Sequence, residues 1–208
     1  MYRLLLFVSV FCLMAGASLA QTSNLLISEY VEGSGNNKAL EIYNGTEDFI
    51  NLGDYTIDRY SNGSSDGVSI ALDAVDLQPG EVWVIVNPSA DAALLGLADQ
   101  TDGNINFNGN DALVLTYAGS QPVDSFGQVG VDPGSYWSCD EGTTANHTMR
   151  RLSSICSGDS VVDDEFDPCL EWSFFASDVF SGLGSHFADC GAVGSENPTW
   201  GSLKASFR

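Results

Sequence analysis

Residues 21–135 of this chain are predicted to form an all-β sandwich. Short runs rich in Val, Ile, Tyr and Phe recur at about ten-residue spacing, Asn- and Gly-rich turns separate them, and only one segment in this region carries helical spacing.

The strand-like runs, in order, are "LLISEYV" (25–31), "KALEIYN" (38–44) and "FINLGDYTIDRY" (49–60), the last giving one or two strands around Gly53. "GVSIAL" (67–72), "EVWVIVN" (81–87), "INF" (105–107), "DALVLTY" (111–117) and "PVDSFGQVG" (122–130) follow. Between them stand "NGT", "SNGSSDG", "QPG", "FNGND" and "AGSQP", whose residues supply the positive φ angles and local hydrogen bonds that turns require. The helical segment is "PSADAALLGLAD" (88–99): Pro88 suits a first turn, and Ala92, Leu95 and Ala98 or Leu94 and Leu97 supply an apolar stripe.

The sequence changes character from Ser135. Trp137, four cysteines, the acidic run "DDEFD" (163–167) and short apolar pieces such as "LEWSFFA" (170–176) make residues 136–190 a loop-rich extension that disulfides hold against the sandwich. Cys139, Cys156, Cys169 and Cys190 allow three pairings, and without a C-x-x-C among them zinc is a poor fit. In residues 191–208, "GAVGSENP" reads as a linker and "TWGSLKASFR" as a short amphipathic helix. Trp200, Leu203 and Phe207 share one face of it, with Lys204 and Arg208 alongside. This end is expected either to dock on the core or to act in export and surface retention.

Residues 1–20 have the form of a secretory signal: Arg3, an apolar run from Leu4 to Met14, then "AGASLA", with cleavage expected after Ala20. Cys12 follows Phe11 rather than a small residue, which argues against a lipid anchor. The expected location is therefore secreted or cell-surface, with no transmembrane span. The formal net charge is −21, and loss of Arg3 with the signal deepens it by one. Such a field repels phosphate backbones, so direct nucleic-acid binding is not expected. "NGT" at Asn44, "NGS" at Asn62 and "NHT" at Asn146 are glycosylation acceptors where a host glycosylates, whereas Pro198 excludes Asn197.

Few residues carry chemistry. Glu29 and Glu41 stand one on each of the first two strands and can face each other in a hairpin, which is the minimal equipment for glycoside hydrolysis; the structural reading is that they satisfy loop amides or Lys38. "TDGNINFNGND" (101–111) alternates Asp and Asn but fails as an EF-hand, because Phe107 stands where the sharp turn needs glycine. Asp159, Asp163, Asp164, Glu165 and Asp167 offer hard oxygen ligands between two cysteines, so this loop is the candidate calcium site; no other cofactor is expected. His147 and His186 belong to no H-E-x-x-H pattern, and neither G-x-S-x-G nor a phosphate loop occurs.

The ordered series "LLISEYVEGSGNNKALEIYN", "INLGDYTIDRYSNG", "LQPGEVWVIVN" and "INFNGNDALVLTY" resembles the lamin tail domain as found in secreted bacterial proteins, over about residues 24–130. The resemblance implies an immunoglobulin-like β-sandwich and a module that is not itself known as an enzyme. Similar domains precede the catalytic domain of extracellular nucleases of the endonuclease/exonuclease/phosphatase type, whose acid and histidine constellation is not visible after residue 130 here. Glu29, Asn36, Asn37, Glu41, Asn44, Asn108 and Asp111 fall at polar positions of the family pattern, where turn and strand-end hydrogen bonding is their expected role. The function expected is a secreted, non-catalytic module for extracellular or cell-surface binding or adhesion, with an extracellular protein or glycan as partner; the alternative is an accessory or cation-dependent hydrolase, nuclease-associated or carbohydrate-active.

Overall fold

A computed structural model describes residues 24–190. The signal, its cleavage point, the 191–198 linker and the terminal helix lie outside the described residues.

The fold is an immunoglobulin-like all-β sandwich. Its first hairpin joins β1 (Leu25–Glu32) to β2 (Lys38–Asn44), closed by the Gly33 amide bonded to the Asn37 carbonyl at 2.8 Å. Gly35 takes the positive φ of 55° that this tight loop needs. Then come β3 (Ile50–Asn51), a 3-10 turn at Leu52–Asp54, β4 (Tyr55–Tyr60), β5 (Val68–Ala71), β6 (Asp76–Leu77) and β7 (Val82–Val86). The helix α1 (Ala92–Leu95), β8 (Gln100–Thr101), β9 (Ala112–Tyr117) and β10 (Gln121–Phe126) complete the family-like part. Beyond it lie β11 (Ser138–Cys139), β12 (Gly142–Thr143), β13 (His147–Arg151) and β14 (Trp172–Ala176).

The larger of the two main sheets has the order β14-β13-β1-β2-β7-β8 and the smaller β10-β9-β4-β5, while β11-β12 and β3-β6 form separate two-stranded ribbons. Among the described residues, only β7 and β8 pair in parallel. β13 lies antiparallel beside β1, with Met149 opposite Tyr30, so the cysteine-rich region supplies two strands of the larger sheet. The disulfides are Cys139–Cys169 and Cys156–Cys190.

Between the sheets lies a core built on Ile27, Tyr30, Leu40, Ile57, Leu115 and Trp172. Tyr30 stacks on Phe126 at 4.0 Å between ring centroids, and Phe126 meets Trp172 edge-on at 5.1 Å. The outer face of the larger sheet is covered too: Val31, Ala39, Val84 and Val86 pack under Leu94 of α1 and Leu183 of the strap that follows β14. Cover on both faces explains why every residue of β1 and β2 is buried.

A β-bulge decides which side chains reach which face. Ile27 pairs with Ile42 and Glu29 with Glu41, leaving Ser28 as the extra residue, so Ile27 and Tyr30 both enter the core while Glu29 turns outward under the strap. A second irregularity lies between Pro122 and Asp124 on β10, and Asp124 Oδ2 accepts the Ile27 amide at 2.7 Å. The two bulges thus meet through one carboxylate that ties the sheets together.

Two expectations need correction. The helix over 88–99 shrinks to Ala92–Leu95, because Asn87 draws the Ser89 amide (2.8 Å) and the Ala90 amide (3.0 Å) into a turn and Gly96 closes the other end. "INF" is no strand; Ile105 and Phe107 are nevertheless fully buried, carried inward by a loop in which Asn87 Nδ2 donates to the Ile105 carbonyl at 2.8 Å.

Candidate functional site

The paired glutamates form a sealed polar cluster. Glu29 Oε2 receives Arg150 Nε at 3.1 Å, and Glu41 receives the Ser28 hydroxyl at 2.7 Å and the Gly184 amide at 2.7 Å. Lys38, which sequence reasoning offered as a partner, instead pairs with Glu32 at 3.0 Å. Residues 178–186 lie across the cluster so closely that a Cβ on Gly182 would collide with Arg150 Nε and Glu29 Oε2. Glu29 and Glu41 are 2% and 1% exposed, so no substrate reaches them in this state. Burial pushes Glu29 up to about 7, against the pull of Arg150 and with a push from Glu41, while Glu29 Oε1 has no hydrogen-bond partner among the described residues. Burial also raises Glu41, opposed by its bonds to Ser28 and the strap amides.

A second buried network was not anticipated. Arg151, on the opposite face of β13 from Arg150, donates to Asp124 Oδ1 at 2.6 Å, pairs with Glu171 at 3.1 Å and lies over Trp172 at 4.7 Å. The available signal was "RR" in a chain poor in cations: adjacent strand residues face opposite ways, so two arginines there need a carboxylate on each side.

The five acids of the 159–167 loop are not gathered into a cage. Asp159 donates its amide to Asp124 and accepts that of Val161 at 2.9 Å, and Asp167 caps a 3-10 turn at Pro168–Leu170 by accepting the Cys169 amide at 3.0 Å. Among the described residues, Cys139, Asp167 and Cys169 are the one trio with ligand atoms close enough for an ion, and its sulfurs form a disulfide. Asp163, Asp164 and Glu165 stay exposed.

The other family positions bind loops together. Asn37 Nδ2 donates to Asp91 and Asp178 at 3.0 Å each, joining the first hairpin to α1 and the strap. Asn44 Nδ2 donates to the Asp48 and Leu77 carbonyls at 2.9 Å. Asp111 accepts the Asn62 amide at 3.1 Å and the Asn108 amide at 3.2 Å, and pairs with Arg59 at 3.4 Å. The exposed Asn36 uses its carbonyl to accept the Lys38 amide at 2.7 Å.

Asp111 and its neighbours thereby shape a hollow of about 480 Å³ at one end of the sandwich. Glu32, Asn62, Asn108, Asn110, Tyr136 and Asn146 line it. Asn110 is fixed from within, donating to the Gly134 carbonyl at 2.6 Å and Asn62 at 3.0 Å, whereas Asn108 and Asn146 are exposed and Tyr136 is 44% exposed. Sequence reasoning found Asn108 and Asp111 but missed Tyr136 and Asn146, which belong to the loops before β13 and join this end only through the fold.

The histidines do not assemble a hydrolytic centre. His147 Nδ1 lies 2.9 Å from the Ala145 carbonyl and its ring meets Phe174 edge-on. The His186 ring packs edge-on against Tyr43 at 4.9 Å, and burial, with Arg151 adding to it, pulls it down to about 4.

The two-sheet architecture, buried ionic staples and loop-end hollow define an immunoglobulin-like module. The model of the lamin tail domain family matches residues 18–130, and the chain belongs to that family. No curated protein matches the chain.

Proposed function

We propose that the protein is a secreted, non-catalytic module that binds a neutral glycan in the hollow at its loop end. The observation that carries this reading is the hollow's lining: exposed amides at Asn62, Asn108 and Asn146 beside the half-exposed Tyr136. Amides offer both donors and acceptors to sugar hydroxyls, and an aromatic ring covers the apolar face of a pyranose. An extracellular protein is the competing ligand. The signal-like residues 1–20 and two disulfides support export, and the burial of Glu29 and Glu41 speaks against the hydrolase alternative.

Calorimetric titration of the oxidised protein with neutral hexose and N-acetylhexosamine oligosaccharides tests this. Saturable binding that Tyr136→Ala weakens by about tenfold, with the melting temperature unchanged, is expected. Hydrolysis of polysaccharide or DNA that stops on adding a chelator would replace the binding module with an enzyme.

A further inference from the structure

A second groove, of about 450 Å³, runs beside β6 and β7, away from the loop-end hollow. Its apolar lining is Val75, Leu77, Val82, Trp83 and Leu97, of which Val75 and Leu97 are each 39% exposed. Its rim is Asp76, Glu81 and Asp99. An apolar floor inside an acidic rim fits a segment that presents aromatic or aliphatic side chains together with cations.

The described part of the chain has no cation to spare for that rim. Lys38, Arg59, Arg150 and Arg151 are the Lys and Arg residues among the described residues, and each is held within 3.4 Å of a carboxyl group elsewhere, that of Glu32, Asp111, Glu29 and Asp124 respectively. Apart from Arg3, the remaining cations of the chain are Lys204 and Arg208, set among Trp200, Leu203 and Phe207. Chain geometry agrees with the chemistry. Gly184 and Ser185 of the strap themselves line the groove, and the Cys156–Cys190 disulfide anchors the chain five residues after Ser185. From Cys190 to Thr199 the backbone can span up to about 30 Å, enough to turn back onto a groove whose wall it has just left.

We infer that residues 199–208 of this same chain dock in the groove between Trp83 and Leu97, with Trp200, Leu203 and Phe207 on the floor and Lys204 and Arg208 at the acidic rim. Docking neutralises part of a strongly acidic face and covers the exposed apolar surface there.

Limited trypsinolysis of the full, oxidised chain reads this directly, since cleavage after Lys204 requires the tail to leave the groove. Cleavage at Lys204 is expected to be about tenfold faster in Leu97→Glu and in Glu81→Lys than in the parent, because proteolysis follows the population of the open form. Both positions are exposed, so the fold tolerates the changes; a thermal melt of each variant checks this, and Trp200→Ala gives the same acceleration without touching the sandwich. Equal cleavage rates in parent and all three variants would overturn the inference. Protection that disappears on dilution would overturn docking within one chain and put the tail in the groove of a second copy.

Discussion

Glu29 shows how one register decision fixes a residue's chemistry. The extra Ser28 turns Glu29 out of the core and under the strap, where it faces Arg150 and Glu41. Two carboxylates then share one guanidinium, and burial selects the protonated form of Glu29 up to about pH 7. The native state therefore holds this proton between about pH 4.5 and 7 while the unfolded state has released it. The Glu29 contribution is fully favourable below pH 4.5 and is lost as pH rises to about 7. Urea melts from pH 4.5 to 8 should show Glu29→Gln gaining on the parent with rising pH, by at most about 3 kcal/mol at pH 8. A constant difference across that range would contradict the assignment. His186 works in the opposite sense, since its neutral form is favoured in the fold and its stabilisation fades as pH falls below 6.5, so the comparison must be made variant against parent.

At the scale of elements, β13 is the least legible and among the most consequential. The strands of the first 130 residues announce themselves by apolar runs between turn residues, and most appear within a residue or two of where that pattern puts them. "HTMRR" carries one large apolar side chain and three cationic or imidazole ones, so nothing in its periodicity marks a strand. It becomes one because Met149 fills the core opposite Tyr30 while Arg150 and Arg151 each find a buried carboxylate on opposite faces. Met149→Ala should cost about 2–5 kcal/mol in a denaturant melt, the penalty of a cavity at a fully buried site beside Trp172. A cost below about 1 kcal/mol would mean that β13 is peripheral. The helix failed for a local reason, Gly96 and the Asn87 turn. The hollow was half legible because its Asn108 and Asp111 lie in a recognisable turn, whereas Tyr136 and Asn146 arrive from a distant loop.

For the whole molecule, disulfides and strands share one task. The bridges span 30 and 34 residues and pin the segments before and after β13 and β14, including the strap that seals Glu41. Each is worth about 3–4 kcal/mol on a chain-entropy argument. Reduction should lower the melting temperature by roughly 10–20 °C and deprotect the Gly184 amide in hydrogen exchange before the amides of β2. Unchanged protection at Gly184 would show that the strap holds without its bridge. On the proposed function, the glutamates of this sandwich serve its architecture and the loop-end amides serve a ligand. The most direct test titrates one panel of neutral oligosaccharides into the parent, Tyr136→Ala and Glu29→Gln, while release of reducing ends is followed in the same samples. Binding by the parent and Glu29→Gln, about tenfold weaker binding by Tyr136→Ala, and no release are expected; turnover that vanishes in Glu29→Gln, or binding indifferent to Tyr136, would overturn the glycan-binding proposal.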